Sequence, residues 1–164
     1  MIVLSLTFAL ALVTAPHRPF LEATDSQGVK HRLPETGVKL AVFHFWATWC
    51  HPCRAELPEL GRFVESRAYR KLAQRGLALY VLAVDAPETH LEPYLNKLRL
   101  DGKRWAMRST LRTLKQHTGT ESIPITIVYN PRTGAIIARW VGRQKWTAPE
   151  LHRQLRRWLT EDNR

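Results

Sequence analysis

The sequence predicts an α/β domain with a central mixed sheet and helices on both faces, and three observations carry that prediction. Two apolar runs, residues 39–46 and 77–84, are continuous enough to be strands buried on both sides. Stretches with helical spacing separate and follow them. Two further strand-like segments, 125–130 and 135–141, are joined by the turn signal Pro131-Arg132-Thr133-Gly134. At 164 residues, 45% hydrophobic and without an internal repeat or low-complexity stretch, the chain has material for one such core and too little for two.

Residues 1–15 are uncharged and nearly all apolar and end in Val13-Thr14-Ala15, so they read as a signal h-region or membrane anchor ahead of a domain spanning 16–164. No Lys or Arg precedes the run, and it is shorter than the roughly 20 residues of a spanning helix, so a buried N-terminal strand or helix is the competing reading. Residues 20–24 and 29–33 flank Asp25-Ser26-Gln27-Gly28 and predict a short hairpin. The 39–46 strand is broken inside only by His44. A helix over 51–67 follows, with Pro52 tolerated in its first turn and Pro58 removing an internal hydrogen bond. Helices are expected over 88–98 and 109–117. In the last segment Thr147-Ala148-Pro149-Glu150 has capping-box spacing, and Leu151, Leu155, Trp158 and Leu159 mark one apolar helical face. After the hairpin the order is thus β-α-β-α-α-β-β-α.

The chain has only two cysteines, Cys50 and Cys53, placed where the 39–46 strand runs into a helix start. Unpaired backbone N–H groups and partial positive charge at a helix opening bias a cysteine there toward the thiolate. The second cysteine falls on the same face, at a Cα separation of roughly 5 Å, which a disulfide accepts. A structural zinc site needs four ligands; this pair supplies two, and His44 and His51 flank it without a second ligand pair. Covalent haem attachment needs a histidine after the second cysteine, where Arg54 stands. A purely structural disulfide closing a two-residue loop adds little stability. Redox exchange is the chemistry that fits, and no metal or other cofactor is expected.

The run Trp46-Ala47-Thr48-Trp49-Cys50-His51-Pro52-Cys53, followed by Arg54, Glu56 and Pro58, is similar to the W-A-x-W-C-x-P-C-R-x-E-x-P pattern of the TlpA/ResA/DsbE-like extracytoplasmic branch of the thioredoxin superfamily. Ser122-Ile123-Pro124-Ile125 resembles the segment carrying that family's cis-proline, and Gly142 resembles its glycine past the last strand. The likeness covers most of residues 20–160, and the 20–33 hairpin resembles the N-terminal extension of the group. It implies a thioredoxin fold and thiol–disulfide oxidoreductase activity in an extracytoplasmic, bacterial setting. Partners would be protein thiols and disulfides, for example in cytochrome c maturation, with a membrane electron donor. Cys50 is then the attacking thiolate at an exposed helix start, and Cys53 the resolving thiol. Trp49 and Pro124 form an apolar rim, with Pro124 in cis and the Ile123 backbone offered as an added strand edge. Glu56 tunes dithiol protonation. His44 occupies the place of the buried aspartate of ordinary thioredoxins, so His44, Glu56 or water must handle protons there.

The direction of electron flow stays open at this level. The motif resembles the reducing branch, whereas an imidazolium at His51 would favour the reduced dithiol and make the pair an oxidant. A peroxidase with P-x-x-x-T-x-x-C would need proline at Phe43 and threonine at Ala47. A non-enzymatic copper-handling module would show C-x-x-x-C, which is not found. Formal charge is +11, with Lys97, Arg99, Lys103, Arg104, Arg108, Arg112 and Lys115 around Asp101. No nucleic-acid-binding signature accompanies it, so a solvated basic face suited to acidic proteins or anionic headgroups is expected rather than a nucleic-acid site.

Overall fold

The computed structural model describes residues 18–101 and 105–161. The expected signal or anchor over 1–15, the domain start at 16, and Lys103 and Arg104 of the basic cluster lie outside the described residues.

Seven strands form one mixed sheet in the order β2-β1-β5-β4-β3-β6-β7. The N-terminal hairpin is β1 (Leu21–Thr24) and β2 (Lys30–Leu33), paired antiparallel across the predicted turn. β3 (Leu40–Trp46) runs parallel to β4 (Leu77–Ala83) and antiparallel to β6 (Ile125–Asn130), which pairs with β7 (Ala135–Val141). The strand missed by the sequence reading is β5 (Met107–Arg108), two residues long and so without a readable alternation. Its Arg108 faces Thr24 in the ladder, which attaches the hairpin to the sheet.

Every residue of β3 is buried, as its continuous apolar character requires. Alternation then sends its side chains to two different layers. Phe43 stacks with Phe20 at 4.9 Å and Tyr80 at 5.1 Å, and Phe20 touches His117 of α4 (Leu111–Thr118) at 4.7 Å. On the opposite side His44 stands edge-on to Trp146 at 5.6 Å. Trp146 stacks on Phe63 of α1 (His51–Glu65) at 5.8 Å, and Phe63 on His152 of α5 (Pro149–Glu161) at 4.8 Å. Helices therefore cover both faces, as predicted.

The expected 51–67 helix ends two residues early, and a second helix that the sequence reading did not predict follows it. α1 passes through Pro58 and stops at Glu65; Ser66 leaves helical geometry and its hydroxyl caps α2 (Arg67–Ala73) by accepting from the Tyr69 amide at 3.1 Å. α3 (Leu91–Lys97) begins three residues later than 88, because 86–89 form a turn closed by Thr89 N–H to the Ala86 carbonyl at 3.0 Å. Leu100 packs directly against α1 at Gly61, where a Cβ would lie 2.6 Å from Leu100 Cδ2. α5 opens at Pro149, and Thr147, read as a cap, donates instead to Glu59. Among the described residues no helix is long and apolar enough to cross a membrane.

Candidate active site

The site sits where the parallel strands β3 and β4 end. Val84 N–H donates to the Trp46 carbonyl at 2.9 Å, carrying the pairing one step past β4, and the next residue, Asp85, is buried. Its carboxylate accepts the Thr48 amide at 3.0 and 3.1 Å and the Thr48 hydroxyl at 2.5 Å. This fixes the loop that delivers Trp49 and Cys50 to α1.

Cys50 is the N-cap of α1, in extended geometry, with the Cys53 amide directed at its sulfur at 3.3 Å. A thiolate at Cys50 Sγ would receive that N–H bond and the positive end of the helix together. The two cysteines form a disulfide with Cα atoms 5.3 Å apart. Cys50 keeps 5% of its surface exposed and Cys53 none, so the expected order of exposure holds although the exposed Cys50 does not. In the disulfide its sulfur is drawn toward the loop before β6, 3.7 Å from the Ile123 carbonyl oxygen.

The Ile123–Pro124 peptide bond is cis. Gly142, at φ +85°, donates its N–H to the Pro124 carbonyl at 2.8 Å, a backbone conformation that favours glycine. Pro124 is buried and Ile123 half-buried, so the proline is not part of an open rim. The exposed apolar surface belongs instead to Trp49 (62%) and Val141 (66%).

Glu56, three residues past Cys53 on α1, is wholly buried. One carboxylate oxygen, Oε1, accepts the Trp146 indole N–H at 2.5 Å and the Gln144 amide at 2.9 Å; the other, Oε2, is buried without a partner. Burial raises the carboxyl pKa, opposed by the Gln144 and Trp146 donors and by Arg143. One turn on, Glu59 accepts the Thr147 amide at 3.1 Å and hydroxyl at 2.8 Å. Burial pushes Glu59 up, but the Thr147 donors, Arg62 and Arg143 outweigh it and the net shift is downward. Two acids of one helix thus clamp the 144–147 segment.

His44 is fully buried, with Nδ1 3.0 Å from the Thr126 hydroxyl and Nε2 without a partner. Burial lowers its pKa to about 3, so the ring is neutral at ordinary pH. His51 is exposed, its Nδ1 accepting from Arg54 Nη2 at 3.4 Å. Among the described residues no cluster of three or more His, Cys, Asp or Glu side chains could hold a metal. Sequence reasoning missed Asp85, Gln144 and Trp146. For Asp85 the signal was an acid directly after a buried strand; for the other two, a 90-residue return in the chain hid it.

A disulfide at the start of the helix that follows the central strand, facing a cis-proline loop, defines the thioredoxin fold. The chain belongs to the AhpC/TSA family, whose model matches residues 15–136. It is similar to a tryparedoxin of Trypanosoma brucei brucei, 33% identical over 99 residues, covering 60% of this chain and 66% of that protein. It is also similar to the thiol-disulfide oxidoreductase ResA of Bacillus thuringiensis, 28% identical over 82 residues, covering 50% of this chain and 44% of that protein. The chain thus spans about half to two thirds of the length of these relatives. The solved structure of StoA from Bacillus subtilis superposes with a TM-score of 0.61 at 21% identity, over 87% of this chain and 98% of that one. A thioredoxin family protein from Chlorobium tepidum superposes at 0.64 and 21%, over 91% and 99%. At this identity the structural likeness speaks for the fold.

Proposed function

We propose that this protein is a thiol–disulfide oxidoreductase that reduces disulfides of extracytoplasmic partner proteins. The observation that supports this reading best is the Cys50–Cys53 disulfide at the α1 N-terminus, with Cys53 fully buried, Cys50 slightly exposed and the Cys53 amide aimed at the Cys50 sulfur. In the reduced protein the Cys50 thiolate attacks a partner disulfide; one partner sulfur leaves and takes a proton, and a mixed disulfide remains. Cys53 loses its proton and attacks Cys50 Sγ, which releases the second partner thiol and closes the Cys50–Cys53 bond. The partner has gained two electrons. A donor dithiol, supplied at the membrane, returns them to the enzyme.

Trp49 offers an exposed ring for the partner, and the Ile123 carbonyl beside Cys50 is placed to bond the partner backbone. Glu56 serves the proton balance of the dithiol. The extracytoplasmic setting rests on the apolar 1–15 run and on the likeness to the ResA group. A peroxidase has less support, since Phe43 and Ala47 stand at the positions its motif gives to proline and threonine.

A disulfide-forming oxidant is the second reading, and the Arg54 guanidinium, in the first turn of the helix that Cys50 caps and bonded to His51 Nδ1, favours it by stabilising the thiolate. The reduction potential separates the two: about −270 mV is expected of a reductase and about −120 mV of a strong oxidant. Cys53→Ser should accumulate mixed disulfides through Cys50; trapping by Cys50→Ser instead would reverse the roles. A copper-handling module would show itself when the reduced protein competes with a Cu(I) chelator.

A further inference from the structure

Trp146 is the residue that ties this site to the rest of the protein. It is fully buried, stacked on Phe63, set edge-on against His44, and bonded through the only polar atom of its side chain to Glu56. The Glu56 carboxylate is served on one side only. Oε1 has two donors and Oε2 has none, although both belong to a side chain with no exposed surface. A bare carboxylate oxygen in the interior is costly, and binding a proton relieves it.

We propose that Trp146 is a positioning residue for the dithiol: its indole N–H fixes Oε1 and so sets how readily Oε2 takes a proton, and through that the acidity of the cysteine thiols. This rests on the proposed redox role of Cys50, Cys53 and Glu56. Without the indole donor the carboxylate keeps only the Gln144 amide, and the neutral acid gains ground. A neutral Glu56 no longer opposes a thiolate on the dithiol, whose Cys53 lies one turn and Cys50 nearly two turns earlier on the same helix, and the thiols become more acidic.

The other groups around Glu56 are accounted for. Arg143 favours its carboxylate and Glu59 opposes it, and both lie outside the indole contact. His44, on the far side of the indole ring, stays neutral across the working range. His152 holds the Trp146 carbonyl through Nε2 at 2.7 Å, a backbone contact that survives a change of side chain. His51 sits at the exposed helix start and is common to every variant below.

The test is the rate of iodoacetamide alkylation of Cys50 in the reduced full chain between pH 5 and 9, in wild type, Trp146→Phe, Glu56→Gln and the double variant. Trp146→Phe should speed alkylation at pH 6 by up to about tenfold, the scale of one hydrogen bond to a charged group. Glu56→Gln should do at least as much, and Trp146→Phe should add nothing to it. Equal acceleration by Trp146→Phe in both backgrounds would assign the effect to packing and overturn the inference, as would no acceleration in the wild-type background. Replacing the indole N–H by sulfur, with benzothienylalanine at 146, keeps the stacking and should reproduce the Trp146→Phe profile; a wild-type profile there would also overturn it. A Glu56→Gln profile identical to wild type, in a protein that still exchanges disulfides, would overturn the role of Glu56 itself and leave the cysteine chemistry standing.

Discussion

On the Phe43 side of β3 the buried groups are rings, aliphatic chains and phenols with partners: Tyr80 donates to Glu35, and Tyr129 to the Arg18 carbonyl at 2.9 Å. On the His44 side, under the disulfide, His44 Nε2, Trp46 Nε1 and Glu56 Oε2 are all buried without partners. Each such atom costs about 1–3 kcal/mol, so these three are a cost the fold carries on that face; a fourth, Ser109 Oγ, lies just past β5. One strand thus separates a layer of mostly aromatic packing, with His117 at its edge against Phe20, from a layer that holds the buried His44 and Glu56.

The comparison breaks most visibly at Phe43. Phe43→Ala should cost about 3–5 kcal/mol in urea unfolding while leaving the pH profile of Cys50 alkylation in place; a moved profile would mean that the two faces are not separable. His44 sharpens the contrast through pH. Its folded pKa lies near 3, against 6.5 for the free side chain, so the unfolded chain binds the extra proton and stability is lost as pH falls from 6.5 toward 3. The loss should reach about 3 kcal/mol at pH 4 and be absent in His44→Leu, as read by unfolding at pH 7 and pH 4.

Glu56 has the opposite sign. Burial raises its folded pKa, so the folded chain holds a proton longer than the unfolded one and stability falls as pH rises from the unfolded carboxyl value through the folded one. Glu56→Gln should therefore be more stable than wild type at pH 8 and equal to it in acid. The gap should be smaller than for His44, because Gln144, Trp146 and Arg143 offset part of the burial. The smallest stability effect is expected at Trp49→Ala, within about 0.5 kcal/mol for so exposed a ring. That variant should lower kcat/KM for a protein disulfide and leave a small disulfide substrate unaffected; equal losses on both would remove Trp49 from the partner surface.

The parts of the site readable from sequence are those written locally. Cys50 and Cys53 follow directly from an apolar run, β6 and β7 flank a turn tetrapeptide, and the hairpin is marked by Asp25 to Gly28. The end of the first helix was legible to within two residues, but the second helix, capped by Ser66, was not, because residues 65–67 carry no glycine or proline to separate it from the first. Nor was the surroundings of Glu56. Spacing placed that acid below the dithiol, but its donors come from the segment after β7, which no local pattern links to α1. The exposure of Cys50 was overestimated for the same reason: the Ile123 carbonyl beside its sulfur belongs to a loop 73 residues further along the chain.

The clamp on α1 also has a place in time. Glu56 and Glu59 meet Gln144, Trp146 and Thr147 at sequence separations of 88 and 90. Synthesis at 5–20 residues per second sets the acids and their donors roughly 5–20 seconds apart. During that interval the nascent chain already carries both cysteines, while Glu56 has neither of its donors. On the proposal above, a thiol pair that meets an oxidant in this window lacks the influence of Glu56 held by its donors, and gains it only when the final segment closes over α1.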